Sequence, residues 1–213
     1  MLREIASTEI YTVLLVVCLL LVAIAKLLFS KRFQDFIELL FNFRYIKGYL
    51  RNQKFLDVFE GLLFINAVIG LSIFSLISYT KRVDLELTNH FNIFKLVFII
   101  AAVIIIKTVI EGLISRVLNI NQFINEYIFV KTSYKNFLGL LLIPINGLLL
   151  FTLNLTDWII ISFVILLLLI NCIGIFFYIK GNLNLIKNNL FYFILYLCAL
   201  EISPYFILYK LIT

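Results

Sequence analysis

A chain of 213 residues that is 63% hydrophobic and only 14% charged, with a mean hydropathy of +1.10, excludes a water-soluble globule, which runs about 45–50% apolar and about 25% charged. It excludes a disordered chain, which needs few apolar residues and much charge, and its continuous apolar runs argue against an outer-membrane barrel, whose strands alternate apolar and polar residues. The net charge of +6 fits Lys and Arg clustered beside membrane helices better than nucleic-acid binding, so no nucleic-acid partner is expected.

The implied fold class is all-α: a polytopic transmembrane helix bundle of about six spans, forming one integral membrane domain over residues 1–213. A helix needs about 20 apolar residues to cross about 30 Å of hydrocarbon. The first such run is 9–29. It is too long for the apolar region of a secretory signal, and no small-x-small cleavage site precedes Ser30. Next, residues 32–47 place Phe33, Phe36, Ile37, Leu40 and Phe41 at helical spacing, with Gln34, Asp35, Glu38 and Asn42 on other faces. This is an amphipathic helix on the cytoplasmic side, lying in the interface or packed on the protein's own cytoplasmic face. Spans two and three follow at 58–79 and 93–115. Residues 116–130 repeat the amphipathic pattern with Ile120, Phe123, Ile124, Tyr127 and Ile128. Span four, 137–153, is short and carries Pro144 in its middle, so it is read as tilted, kinked or re-entrant. Only Asn154, Leu155 and Thr156 separate it from span five, 157–179. Span six is 190–212.

Lys and Arg set the orientation. Twelve of the eighteen lie beside or in the loops after spans one, three and five, four lie on the opposite side, and Lys95 and Lys107 fall within span three. The positive-inside rule puts the twelve in the cytoplasm and both termini outside, in the periplasm of a two-membraned bacterium.

Ionisable groups inside a span are costly and are the first place to look for function. Glu201 lies at the centre of span six. Lys107 and Glu111, four apart on span three, share a helical face. A Lys107–Glu201 pair between spans three and six is the leading arrangement. Lys107–Glu111 within one helix and a cluster of all three are its rivals. Such a cluster is either a structural clasp or a proton- or cation-linked carboxylate site. Pro204, three residues after Glu201, removes a backbone donor and is expected to kink span six beside the carboxylate. Asn66, Asn146 and Asn171 lie within spans two, four and five, where helix–helix hydrogen bonds are expected of them. His90 is the one histidine, placed in a short outer loop, and Cys18, Cys172 and Cys198 all sit in apolar runs. No metal site and no cofactor are expected.

The stretch Tyr196-Leu-Cys-Ala-Leu-Glu201-Ile-Ser-Pro204, followed by an apolar run and Lys210, resembles the C-terminal Y-L-C-x-L-E-[IL]-x-P signature of a family of uncharacterised bacterial multi-pass membrane proteins, a domain of unknown function. Tyr196, Cys198, Glu201, Pro204 and Lys210 carry the resemblance. It implies the bacterial inner membrane and brings no activity, cofactor or catalytic residue.

Catalysis is the least supported class, because no spacing places a base beside a nucleophile. The preferred expectation is a non-catalytic subunit or assembly factor of a larger membrane complex, with envelope protein export as one setting. Its partners are membrane lipids and either other subunits or a second copy. The alternative is a small proton- or cation-coupled transporter that uses Glu201, compatible with a kinked and a broken span.

Overall fold

The computed structural model describes residues 9–40, 48, 57–83, 90–117, 121–151 and 157–181, and the regular structure among them is helical throughout. The apolar runs dictate this. A backbone in hydrocarbon has no water to bond, so a spanning segment satisfies its N–H and C=O groups internally. Helix α1 covers Glu9–Leu28 and α2 Ser30–Ile37, followed by a 3-10 turn at Glu38–Leu40. Then come α3 at Val58–Val83, α4 at His90–Val117, α5 at Asn121–Phe151 and α6 at Asp157–Gly181. Four stretches are long and apolar enough to cross a membrane: Glu9–Leu28, Val58–Tyr79, Ile93–Ile114 and Asn125–Phe151; α6 contributes a shorter one, Trp158–Gly174. These helices mark a membrane protein. The sixth expected span, with Glu201 and Pro204, lies outside the described residues.

Helices α3 and α5 form the centre, with α1 and α4 packed against both and α6 against α5. Glu60 meets Asn136, Ala67 lies against Gly139, and the Gly70 carbonyl meets Asn146. The residue numbers rise together, so α3 and α5 run parallel. Their neighbours run the other way. Phe29, just past α1, meets Phe59 at the start of α3. Glu111, near the end of α4, meets Lys131 near the start of α5. Gly174, near the end of α6, seats the Tyr134 ring. One end of the bundle therefore gathers the ends of α1, α4 and α6, the starts of α3 and α5, and α2. The exposed Lys26, Lys31 and Arg116 are on it; we call it the basic end. Burial on α1 falls at Tyr11, Leu15, Cys18 and Ala25, and on α6 at Ile160, Leu167, Ile170 and Gly174. Both sets form a single stripe at helical spacing, with apolar side chains exposed on the other faces.

Four sequence expectations are decided or changed. The amphipathic segment 32–47 is helical through α2 and the turn, with 41–47 outside the described residues. Its apolar side packs on the protein: Phe33, Phe36 and Leu39 are buried, while Lys31, Gln34, Ile37 and Glu38 are exposed. Phe36 lies 5.8 Å from the Phe59 ring and 5.9 Å from that of Phe137. The second amphipathic segment is no separate helix. From Asn121 onward it forms the first turns of α5, which runs unbroken through the expected loop into span four. The polar run 131–136 stays helical because Ser133, Tyr134 and Asn136 turn inward and are buried. Pro144 lies inside α5 without ending it, exposed on the outer surface. His90, expected in a loop, opens α4.

Candidate functional site

Two of the described side chains on α4 are buried, Ile93 at 2% and Glu111 at 1% exposure. One is thus a carboxylate in a helix that otherwise faces outward. It accepts a hydrogen bond from Lys131 Nζ at 2.7 Å, and the ammonium group lies 5.7 Å from the Tyr127 ring centroid. A charge withdrawn from water this far persists only when it is paired. The pair staples α4 to α5. Lys107 sits one turn earlier on α4 and is half-buried. Sequence analysis found Glu111 and left Lys131 in a loop. The available signal was the spacing of Tyr127 and Lys131, one helical turn apart, directly before an apolar run.

A second polar group joins α2, α3 and α5. Arg32 pairs with Asp57, approaches the Glu60 carboxylate at 3.6 Å and lies over the Phe59 ring, 4.8 Å from its centroid. Glu60 accepts from Asn136 Nδ2 at 2.7 Å. Beside it the Tyr134 hydroxyl donates to the Leu39 carbonyl at 3.3 Å. A planar guanidinium can serve two carboxylates and an aromatic face at once, so Arg32 docks α2 onto the start of α3. Sequence reasoning missed this group because Arg32 and Asp57 are 25 residues apart.

The third polar feature is the α3–α5 seam. Gly139 permits it: a Cβ there would come within 2.5 Å of the Ala67 Cβ and 2.9 Å of the Ala67 backbone nitrogen, so the helices touch backbone to backbone, as small residues allow in membranes. Asn146 Nδ2 donates across the seam to the Gly70 carbonyl at 2.9 Å, the helix–helix bond expected of it. Asn171 instead bonds the Leu167 carbonyl of its own helix at 3.2 Å. Asn66 is fully buried with neither amide atom partnered, and Ser133 Oγ, Asn136 Oδ1 and Asn146 Oδ1 are also buried without partners. An unsatisfied buried polar group costs about 1–3 kcal/mol.

The chain matches the family described as a domain of unknown function, DUF4271, over residues 11–212. No curated protein and no solved structure matches it.

Proposed function

The chain belongs to the DUF4271 family, and on that premise we propose that it is a non-catalytic, multi-pass protein of a bacterial inner membrane, serving as a subunit or assembly factor of a larger membrane complex. The observation that carries this reading is α4. Only 6% of its apolar stretch is buried, against 56% for α3. Phe94, Phe98, Val103 and Ile106 all point away from the bundle, and one charged pair near the basic end is its buried polar attachment to α5. Such a helix offers most of its circumference to lipid or to further membrane helices, whose association rests on packing and interhelical hydrogen bonds. The buried or half-buried charges Arg32, Asp57, Glu60, Glu111 and Lys131 at the basic end pair with one another, which supports a structural role for them. In this reading the basic end faces the cytoplasm, the signature stretch with Glu201 and Pro204 forms the last of six spans, and both termini face the periplasm.

The test is purification of the tagged protein from native membranes in mild detergent, with mass spectrometry of what accompanies it. A defined set of partners at stoichiometric yield is expected. A lone monomer or homodimer refutes the subunit reading.

One observation favours the transporter instead: buried amides recur along α3 and α5 at Asn136, Asn66 and Asn146. In reconstituted vesicles, proton or cation flux that is lost in Glu201→Gln supports that reading. Equal flux with and without the carboxylate sinks it.

A further inference from the structure

We propose that α2 is a strap whose docking is transmitted to α6 through Tyr134, so that loosening either helix loosens the other. The proposal goes beyond the function proposed above and holds for a subunit and for a transporter alike.

The strap depends on its docking. Helix α2 has eight residues and no side-chain cap on its first turn. A helix that short does not hold in water by itself, where about 12–15 residues are the margin. It is docked on α3 by Arg32, which reaches Asp57 and Glu60, and on α3 and α5 by the fully buried Phe36, set against Phe59 and Phe137. Docked helix and undocked chain are therefore its two states.

The transmitting residue is Tyr134 on α5. It is 1% exposed, and its two ends meet different elements. The hydroxyl donates to the Leu39 carbonyl, in the turn that follows α2, at 3.3 Å. The ring lies on Gly174 of α6, where a Cβ would come within 2.6 Å of the ring atoms Cγ and Cδ2. The apolar stretch of α6 ends at Gly174, so the seat holds α6 at the level where it leaves the hydrocarbon.

Chemistry makes the two contacts interdependent. A buried hydroxyl left without an acceptor is penalised. Leu39 and Phe36 leave with the strap, and water entering the space they occupied becomes the partner of the hydroxyl. The ring turns towards it and off Gly174. In the other direction, a ring pushed off its seat carries the hydroxyl away from Leu39. Coupling of this kind is reciprocal, and one hydrogen bond sets its size, about fivefold.

Hydrogen exchange of the whole protein in lipid nanodiscs, read by mass spectrometry, tests this from both ends. Arg32→Gln should speed exchange in α2 and, about fivefold, in α6 around Gly174. Gly174→Ala should speed exchange in α6 and, by the same factor, in α2. Tyr134→Phe keeps the ring and deletes the donor, so in that background each substitution should loosen its own helix alone. A near helix that loosens while the far one is unchanged overturns the proposal. So does a far effect that survives Tyr134→Phe undiminished, and so does Arg32→Gln that leaves α2 itself unchanged. A variant that also loosens the start of α4, at the opposite end of the bundle, is unfolding generally, and the native protein in graded urea then decides. Opening of α2 and the end of α6 as one unit supports the coupling, and opening at separate urea concentrations overturns it.

Discussion

Gly139→Ala is the sharpest test of the α3–α5 seam, because two effects of opposite sign compete and the structure says which wins. In a helix interior Ala is favoured over Gly by about 1 kcal/mol. Gly147, about two turns on along α5, has nothing within 4 Å of where a Cβ would sit. Gly147→Ala should therefore stabilise by about 0.5–1 kcal/mol. At Gly139 the same methyl would land 2.5 Å from the Ala67 Cβ and 2.9 Å from its backbone nitrogen. Carbon atoms settle at about 3.5–4.0 Å, so α3 and α5 must part by roughly 1 Å. The obstruction is backbone, with no side chain to swing aside. Overpacking of this kind costs about 1–3 kcal/mol, and the 2.9 Å bond from Asn146 to Gly70 would be stretched, removing about 1 kcal/mol more. The net is a loss of about 1–3 kcal/mol, up to about a hundredfold in the folded-to-unfolded ratio. Thermal unfolding of both variants in one detergent, followed by size-exclusion fluorescence, reads the difference directly. If Gly139→Ala matches or exceeds the native protein, as Gly147→Ala should, the seam is not as close as its geometry says.

Three further outcomes follow from the same contacts. Glu111→Leu or Lys131→Met alone should destabilise by about 3–5 kcal/mol by stranding a buried charge, while the two together, an apolar pair, recover most of the loss; additive losses in this double-mutant cycle would show that the two do not interact. Gly174→Ala should destabilise by about 1–3 kcal/mol in thermal unfolding, because a Cβ there meets the Tyr134 ring at 2.6 Å; Tyr134→Leu in the same chain should relieve part of this, and an unchanged midpoint for Gly174→Ala would count against the α5–α6 contact. Phe98→Asn, at a residue 75% exposed on α4, should leave thermal stability in detergent nearly unchanged yet reduce the yield of co-purifying partners; undiminished yield would remove α4 as the docking face.

What the sequence made legible was what depends on local runs of residues. The stretch 58–79 matches the apolar part of α3, and 93–115 falls within α4 with almost the same apolar limits, because a long apolar run becomes a helix in hydrocarbon whatever its neighbours are. Asn66, Asn146 and Glu111 could be picked out as buried polar groups for the same reason: each interrupts such a run. What could not be read was anything decided by a second helix. Residues 131–136 look like a loop by composition. They are helical because the turn after α2, α3 and α4 supply partners: the Leu39 carbonyl for Tyr134, Glu60 for Asn136, and Glu111 for Lys131. Pro144 removes one local bond, and α5 nonetheless continues past it with the ring on the outer surface.

The polar groups are sorted by depth in a way that membrane energetics explain. The ion pairs of Arg32 with Asp57 and Glu60 and of Lys131 with Glu111 cluster at the basic end. There a long basic side chain can reach toward the interface while its partner stays within the bundle. Deeper in α3 and α5 the buried polar groups are neutral, the amides of Asn66 and Asn146 and the hydroxyl of Ser72, which cost less to hold in hydrocarbon than a charge. Rigidity follows the same order. The α3–α5 pair is fixed by backbone contact at Gly139 and by a hydrogen bond at Gly70, while a charged pair near the end of α4 joins it to α5. A partner helix that covers α4 would replace lipid contacts without disturbing the seam. The exposed helix and the closed core are thus two halves of one arrangement: a rigid α3–α5 centre that holds α4 out towards whatever else the membrane contains.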